Sequence, residues 1–106
     1  MISLYGSIML VVCGAYGVRQ SELAAATRSR ADIARARQIA MYLAHVSCGL
    51  TLTEVGRLFG RDRTTAAHAC RQIEDERDDP TVDLALSALD STLRYWRSSD
   101  WQSPAA

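Results

Sequence analysis

Not one lysine occurs among the 106 residues; all twelve cations are arginine. Arginine's planar fork suits bidentate contacts to phosphate and guanine, but GC-rich codon usage yields the same excess, so the bias alone selects no partner. Net charge is lacking too: twelve acids balance the arginines, and the formal charge is zero. That average conceals a division along the chain. From Arg19 to Arg71 nine arginines face four acids, a net of +5, whereas from Glu74 to the end three arginines face eight acids, a net of −5. A basic body followed by an acidic end is a distribution found in nucleic-acid binders.

Other absences narrow the function. Cys13, Cys48 and Cys70 form no CxxC and cannot all pair, and each has apolar neighbours, so they read as buried thiols of a cytoplasmic protein. His68 and Cys70, two apart, diverge on a helix, and no metal site is expected. The apolar run "SIMLVVCGAYGV" has no Lys or Arg before it. It is shorter than the ~20 residues that span a bilayer, so it reads as a core helix and no membrane partner is expected. There is no GxxxxGK[ST] loop and no nucleophile elbow, so neither a nucleotide, a cofactor nor an enzymatic activity is expected. No alternating period-2 segment, internal repeat or low-complexity tract occurs, and the expected fold is all-α.

What is present is helical periodicity. Leu4, Ile8, Val11, Val12 and Ala15 form one apolar stripe, which Gly17 is placed to stop. "VRQSELAAATR" predicts a second helix of about two turns, and "SRADIARA" a basic loop leading to Asp32 as N-cap. Ala36, Ala40, Leu43, Ala44 and Ser47 line a third helix ending at Gly49, in which His45 is expected to be structural. Thr51 and Glu54 form a capping box before Val55, Leu58 and Phe59, and Gly60 ends that fourth helix. Asp62 then caps a longer helix with Ala66, Ala69, Cys70 and Ile73 facing inward. Two helices joined by a tight glycine-containing turn describe a helix-turn-helix, the second being the recognition helix.

The outward side of that helix carries Arg61, Thr64, Thr65, His68 and Gln72 as one patch. Its chemistry fits a DNA major groove: arginine donates to guanine, threonine offers a hydroxyl and a methyl, and histidine donates or accepts at a base edge. Helix N-terminal amides near Thr64 and Thr65 would also favour phosphate oxygens.

These residues resemble a known family. "ARARQIAMYLAHVSCGLTLTEVGRLFGRDRTTAAHACRQIE", Ala34 to Glu74, is similar to the C-terminal DNA-binding domain of the bacterial chromosomal replication initiators, the DnaA family, and "YGVRQSELAAATRSR" extends the similarity upstream. The resemblance implies a Trp-repressor-like helical arrangement that binds double-stranded DNA at DnaA-box-like sites. It assigns base contacts to Asp62, Thr64, Thr65 and His68, beside which Arg61 and Arg63 are also expected at bases, and phosphate contacts to Arg37 and Gln38. Arg28 or Arg30 would supply the basic loop that enters the minor groove. Three departures stand out: Arg63 replaces the family's histidine, Ala36 its proline, and Gly60 stands alone for a glycine pair. They alter reach and charge at the base-reading end. With no room for the initiator's ATPase domain, the protein is expected to regulate replication or transcription by occupancy, at the nucleoid, without ATP hydrolysis.

The expected organisation is a DNA-binding domain over residues 1–78, an added C-terminal amphipathic helix over 79–97 and a flexible tail over 98–106. Asp79 and Pro80 form an N-cap and N1 pair before Val82, Leu86, Leu89, Leu93 and Trp96, which recur at heptad-like spacing. This stripe either packs on the domain's own core or forms a homodimer. The acidic stretch Glu74–Asp79 with Asp83 would repel DNA and shield the basic face.

Overall fold

Ser3 starts the first helix, α1 (Leu4–Tyr16), by accepting a hydrogen bond from the Gly6 amide at 3.0 Å, and Gly17 stops it in the left-handed conformation. The computed structural model describes residues 3–25 and 30–97, which form six helices and no strand. The second, α2 (Gln20–Ala24), is shorter than the two turns expected, with Leu23 its single buried residue. The next helix, α3 (Ala31–Val46), begins earlier than expected: Arg30, not Asp32, is the N-cap. Asp32 lies in the first turn and accepts from the Ile33 amide at 2.9 Å, where a negative charge favours a helix start. Residues 31–36, expected as loop, are therefore helix.

The hub of the fold is α3. It packs against α1, α2, α4 (Leu52–Phe59) and α5 (Arg63–Glu76), and its buried residues run round most of its girth, from Ile33, Ala36 and Ile39 to Met41, Tyr42 and Leu43. A single amphipathic stripe would bury one side only. At its C-terminal end the His45 Nδ1 donates to the Leu50 carbonyl at 2.7 Å, the structural role expected of it.

The last helix, α6 (Pro80–Trp96), is capped by Asp79, whose carboxylate accepts from the Thr81 amide at 2.9 Å. Leu86 and Leu93 are 1% and 0% exposed, and Val82 and Leu89 pack beside them on the core that also holds Ile8, Val12, Ile39 and Ile73. The stripe from Val82 to Leu93 thus faces its own chain. Of that stripe Leu86 and Leu93 have no free surface to offer a homodimer, and α6 shares one core with the preceding helices.

The acidic run is likewise part of the frame. Glu74 and Glu76 lie within α5; Glu74 accepts from the Tyr42 hydroxyl at 2.6 Å, and Glu76 pairs with Arg35. Arg77, in the turn after α5, donates to the Tyr42 hydroxyl at 3.0 Å, to Asp83 at 2.6 Å and to Ser87 at 2.9 Å. These bonds clamp α3, α5 and α6 together and leave no detachable acidic arm between residues 74 and 79. Of the three thiols only Cys70 is buried, and burial pushes its pKa up to about 11; Cys13 and Cys48 are half-buried. Residues 98–106, expected to form a flexible tail, lie outside the described residues.

Candidate nucleic-acid interface

The geometry of the two-helix unit is set at both helix starts. The capping box of α4 is complete: the Thr51 hydroxyl accepts from the Glu54 amide at 3.1 Å, and the Glu54 carboxylate accepts from the Thr51 amide at 2.8 Å. Gly60 closes α4 with φ of 66°, a conformation that costs a residue with a Cβ energy. Asp62 opens α5 by accepting from the Thr65 amide at 2.7 Å. That bond, with help from the Thr65 hydroxyl, holds the Asp62 carboxyl below the usual carboxylate range.

Between them sits a glycine whose role is not legible from spacing alone. Gly56 is buried in α4, and a Cβ built there would meet the Arg61 carbonyl oxygen at 2.7 Å and the Asp62 carbonyl carbon at 3.0 Å. The turn backbone lies directly on α4 at this point, with the Arg61 amide donating to the Gly56 carbonyl at 2.8 Å. The absence of a side chain at residue 56 therefore sets the approach of α5 to α4.

With Ala66, Ala69, Cys70 and Ile73 buried, α5 exposes Arg63, Thr64, Thr65, His68 and Gln72. His68 faces outward and Cys70 inward, on different sides of the helix. Arg71, one helical repeat beyond Thr64, is also exposed, as is Arg57 on α4. Neither was singled out from the sequence, although the i, i+7 spacing from Thr64 carried the signal for Arg71. Asp62 occupies the amide of Thr65, so the α5 N-terminal amides expected to meet phosphate are already partnered there.

Three other arginines take different positions. Arg37, expected at phosphate, is 9% exposed and turned inward. Its guanidinium donates to the carbonyls of Leu23 at 2.8 Å, Glu22 at 3.2 Å and Ala25 at 3.3 Å. These are carbonyls at the C-terminal end of α2, so Arg37 holds α2 to α3. Burial, and then the charge of Arg61, lower its pKa. Arg61, expected at a base, is half-buried and donates from Nη2 to the Ala25 carbonyl at 3.1 Å. Arg30 is exposed and pairs with Glu22 at 3.4 Å and Asp32 at 3.3 Å. Gln38 is half-buried on α3. Arg28 lies outside the described residues; before it, Ala25 is held by Arg37 and by Arg61 of the turn between α4 and α5, and after it Arg30 pairs with Glu22 of α2.

Among the described residues no group of three or more His, Cys, Asp or Glu side chains is placed to hold a metal ion, and no helix is long and apolar enough to cross a membrane. A capped two-helix unit with a small turn and an outward polar face on its second helix defines a helix-turn-helix domain. Residues 6–73 match the family described as the bacterial dnaA protein helix-turn-helix, and the chain belongs to that family. It is 42% identical over 90 residues to the chromosomal replication initiator protein DnaA of Burkholderia multivorans, and equally to that of Paraburkholderia phymatum. Each match covers 83% of this chain and 17% of the relative, so the chain spans about a sixth of the length of the curated relatives it matches.

Proposed function

We propose that this chain binds duplex DNA in a sequence-specific manner at DnaA-box-like sites, with α5 in the major groove and the basic loop around Arg28 and Arg30 in the adjacent minor groove. The observation that carries the reading is the outward face of α5, where Arg63, Thr64, Thr65, His68 and Arg71 stand exposed on a helix whose start is pinned by Asp62. Thr64, Thr65 and His68 serve as base readers, Arg63 and Arg71 as donors to guanine or phosphate, and Arg30 and Gln38 as backbone contacts. Asp62 acts through the helix start, and Arg61 and Arg37 act as positioning residues. Bound in this way, the protein regulates replication initiation or transcription at the nucleoid by occupying sites.

Fluorescence anisotropy with a DnaA-box duplex and a scrambled duplex, across a salt series, tests the reading. Preference for the box is expected, with log K falling by ~0.9 for each phosphate neutralised as log salt rises. Thr65→Ala is expected to lose about 1–3 kcal/mol of that preference with the fold intact, since Thr65 is exposed. Equal binding to both duplexes would mean that Arg63 and the single-glycine turn direct α5 to another site. No binding to either would defeat the proposal.

A further inference from the structure

The inward stripe of α6 is spoken for, but its outward side is also apolar. Leu84 and Tyr95 are 72% and 67% exposed, the largest values among the exposed large hydrophobic residues described. Ala88 and Ser91 are exposed between them. The spacing 84, 88, 91, 95 is that of one straight helical stripe, lying beyond residue 73, where the family match ends.

We infer that this face is a self-association surface, on which a second copy of the chain lays its own α6 in antiparallel, two-fold symmetric contact. Two features of the stripe select that partner. The first is size order: antiparallel pairing about a dyad between residues 88 and 91 sets Leu84 against Tyr95 of the other copy and leaves the small Ala88 and Ser91 at the crossing, where helices must approach closely. The second is charge. The stripe beside the apolar one carries Asp83 near the helix start and Arg94 near its end, with side chains 50% and 58% exposed. In an antiparallel pair like flanks face each other, so Asp83 of each copy opposes Arg94 of the other; a parallel pair would set this flank against the opposite one, which carries the uncharged Ala85 and Thr92, and would form no such ion pair. Both already bond within the chain, Asp83 to Arg77 and Arg94 to Asp90, but a carboxylate has two oxygens and a guanidinium five donors, so each accommodates a second partner.

The size of the contact sets its strength. Seventeen residues make a helix roughly 26 Å long, and one such pair buries less than the ~1,200 Å² of a stable specific interface. The association is therefore weak and concentration-dependent. Two copies on neighbouring DNA sites would meet at a high effective concentration, so the contact acts as cooperativity between sites.

Sedimentation equilibrium without DNA, from micromolar to millimolar protein, keeps the test independent of the DNA reading. A monomer–dimer equilibrium is expected, weakened at least tenfold by Ala88→Glu and by Leu84→Glu, with unchanged helical circular dichroism because both residues are exposed. Orientation is read from disulfide trapping: mixed Leu84→Cys and Tyr95→Cys chains should cross-link to each other in preference to each variant with itself. On a duplex with two adjacent sites, Ala88→Glu should remove cooperativity and leave single-site affinity unchanged. A monomeric mass at every concentration, dimerisation undisturbed by Ala88→Glu, or self-cross-linking in preference to the mixed product would overturn the inference.

Discussion

Arg61 and Ala25 are 36 residues apart in sequence and joined by a 3.1 Å hydrogen bond, guanidinium to carbonyl. Through it the turn that launches α5 holds the head of the basic loop. Arg61→Ala should therefore lower affinity for the cognate duplex by about tenfold while costing only about 1 kcal/mol of stability, the net worth of a typical hydrogen bond. Parallel binding and urea titrations check this. A loss of stability as large as the loss of binding would make Arg61 a general strut.

Arg37 should behave in the opposite way. Its removal takes the 2.8 Å donor from the Leu23 carbonyl and one of two donors from each of the Glu22 and Ala25 carbonyls, so Arg37→Ala is expected to destabilise the fold by about 2–4 kcal/mol. Chemical denaturation measures it. A variant of full stability that has lost only DNA affinity would return Arg37 to the phosphate backbone.

At residue 56 a single methyl group is the test. Gly56→Ala places a Cβ within 2.7 Å of a backbone oxygen that cannot rotate away, so α4 and the turn must separate. The expected cost is about 1–3 kcal/mol, with loss of DNA discrimination because α5 is reoriented. The helix propensity of alanine pulls the other way and is worth roughly 1 kcal/mol at most. A more stable Gly56→Ala protein would show that propensity wins.

Acid should loosen the recognition unit at its helix starts. The Asp62 carboxyl is lowered chiefly by the Thr65 amide, and the Glu54 carboxyl by the Thr51 amide. A depressed folded-state pKa means stability that is present above the ordinary carboxylate range and lost as pH falls below about 4. Asparagine caps as well as aspartate but does not titrate, so thermal unfolding of Asp62→Asn should depend less on pH in that range than wild type. An identical pH profile for the two would remove Asp62 from the account.

Much of the fold was legible because short-range chemistry wrote it. Gly17, Thr51 with Glu54, Gly60, Asp62, and Asp79 with Pro80 each mark a helix end through a local bond or backbone conformation. The outward face of α5 followed from the inward set Ala66, Ala69, Cys70 and Ile73 by helical geometry. What spacing did not carry were contacts between distant segments. Arg37 and Arg61 look like free cations in the sequence, and only folding brings Ala25 to them. Gly56 is an ordinary helical glycine until the turn lies on it. The α3 start was placed late because Asp32 is a good cap by type, while Arg30 occupies that position with no side-chain bond.

The locking of Glu74 and Glu76 into α5 makes the recognition helix a rod with two unlike poles. From Thr64 to Glu76 is about 18 Å, hydroxyl-bearing and next to arginines at one end, carboxylate-bearing at the other. A polyanion is favoured only along the stretch from Arg63 to Arg71, about 12 Å, which spans roughly three to four base pairs of rise. On the proposed function, one copy would therefore read a short word with a definite direction, and any longer message would have to be spelled by a neighbour.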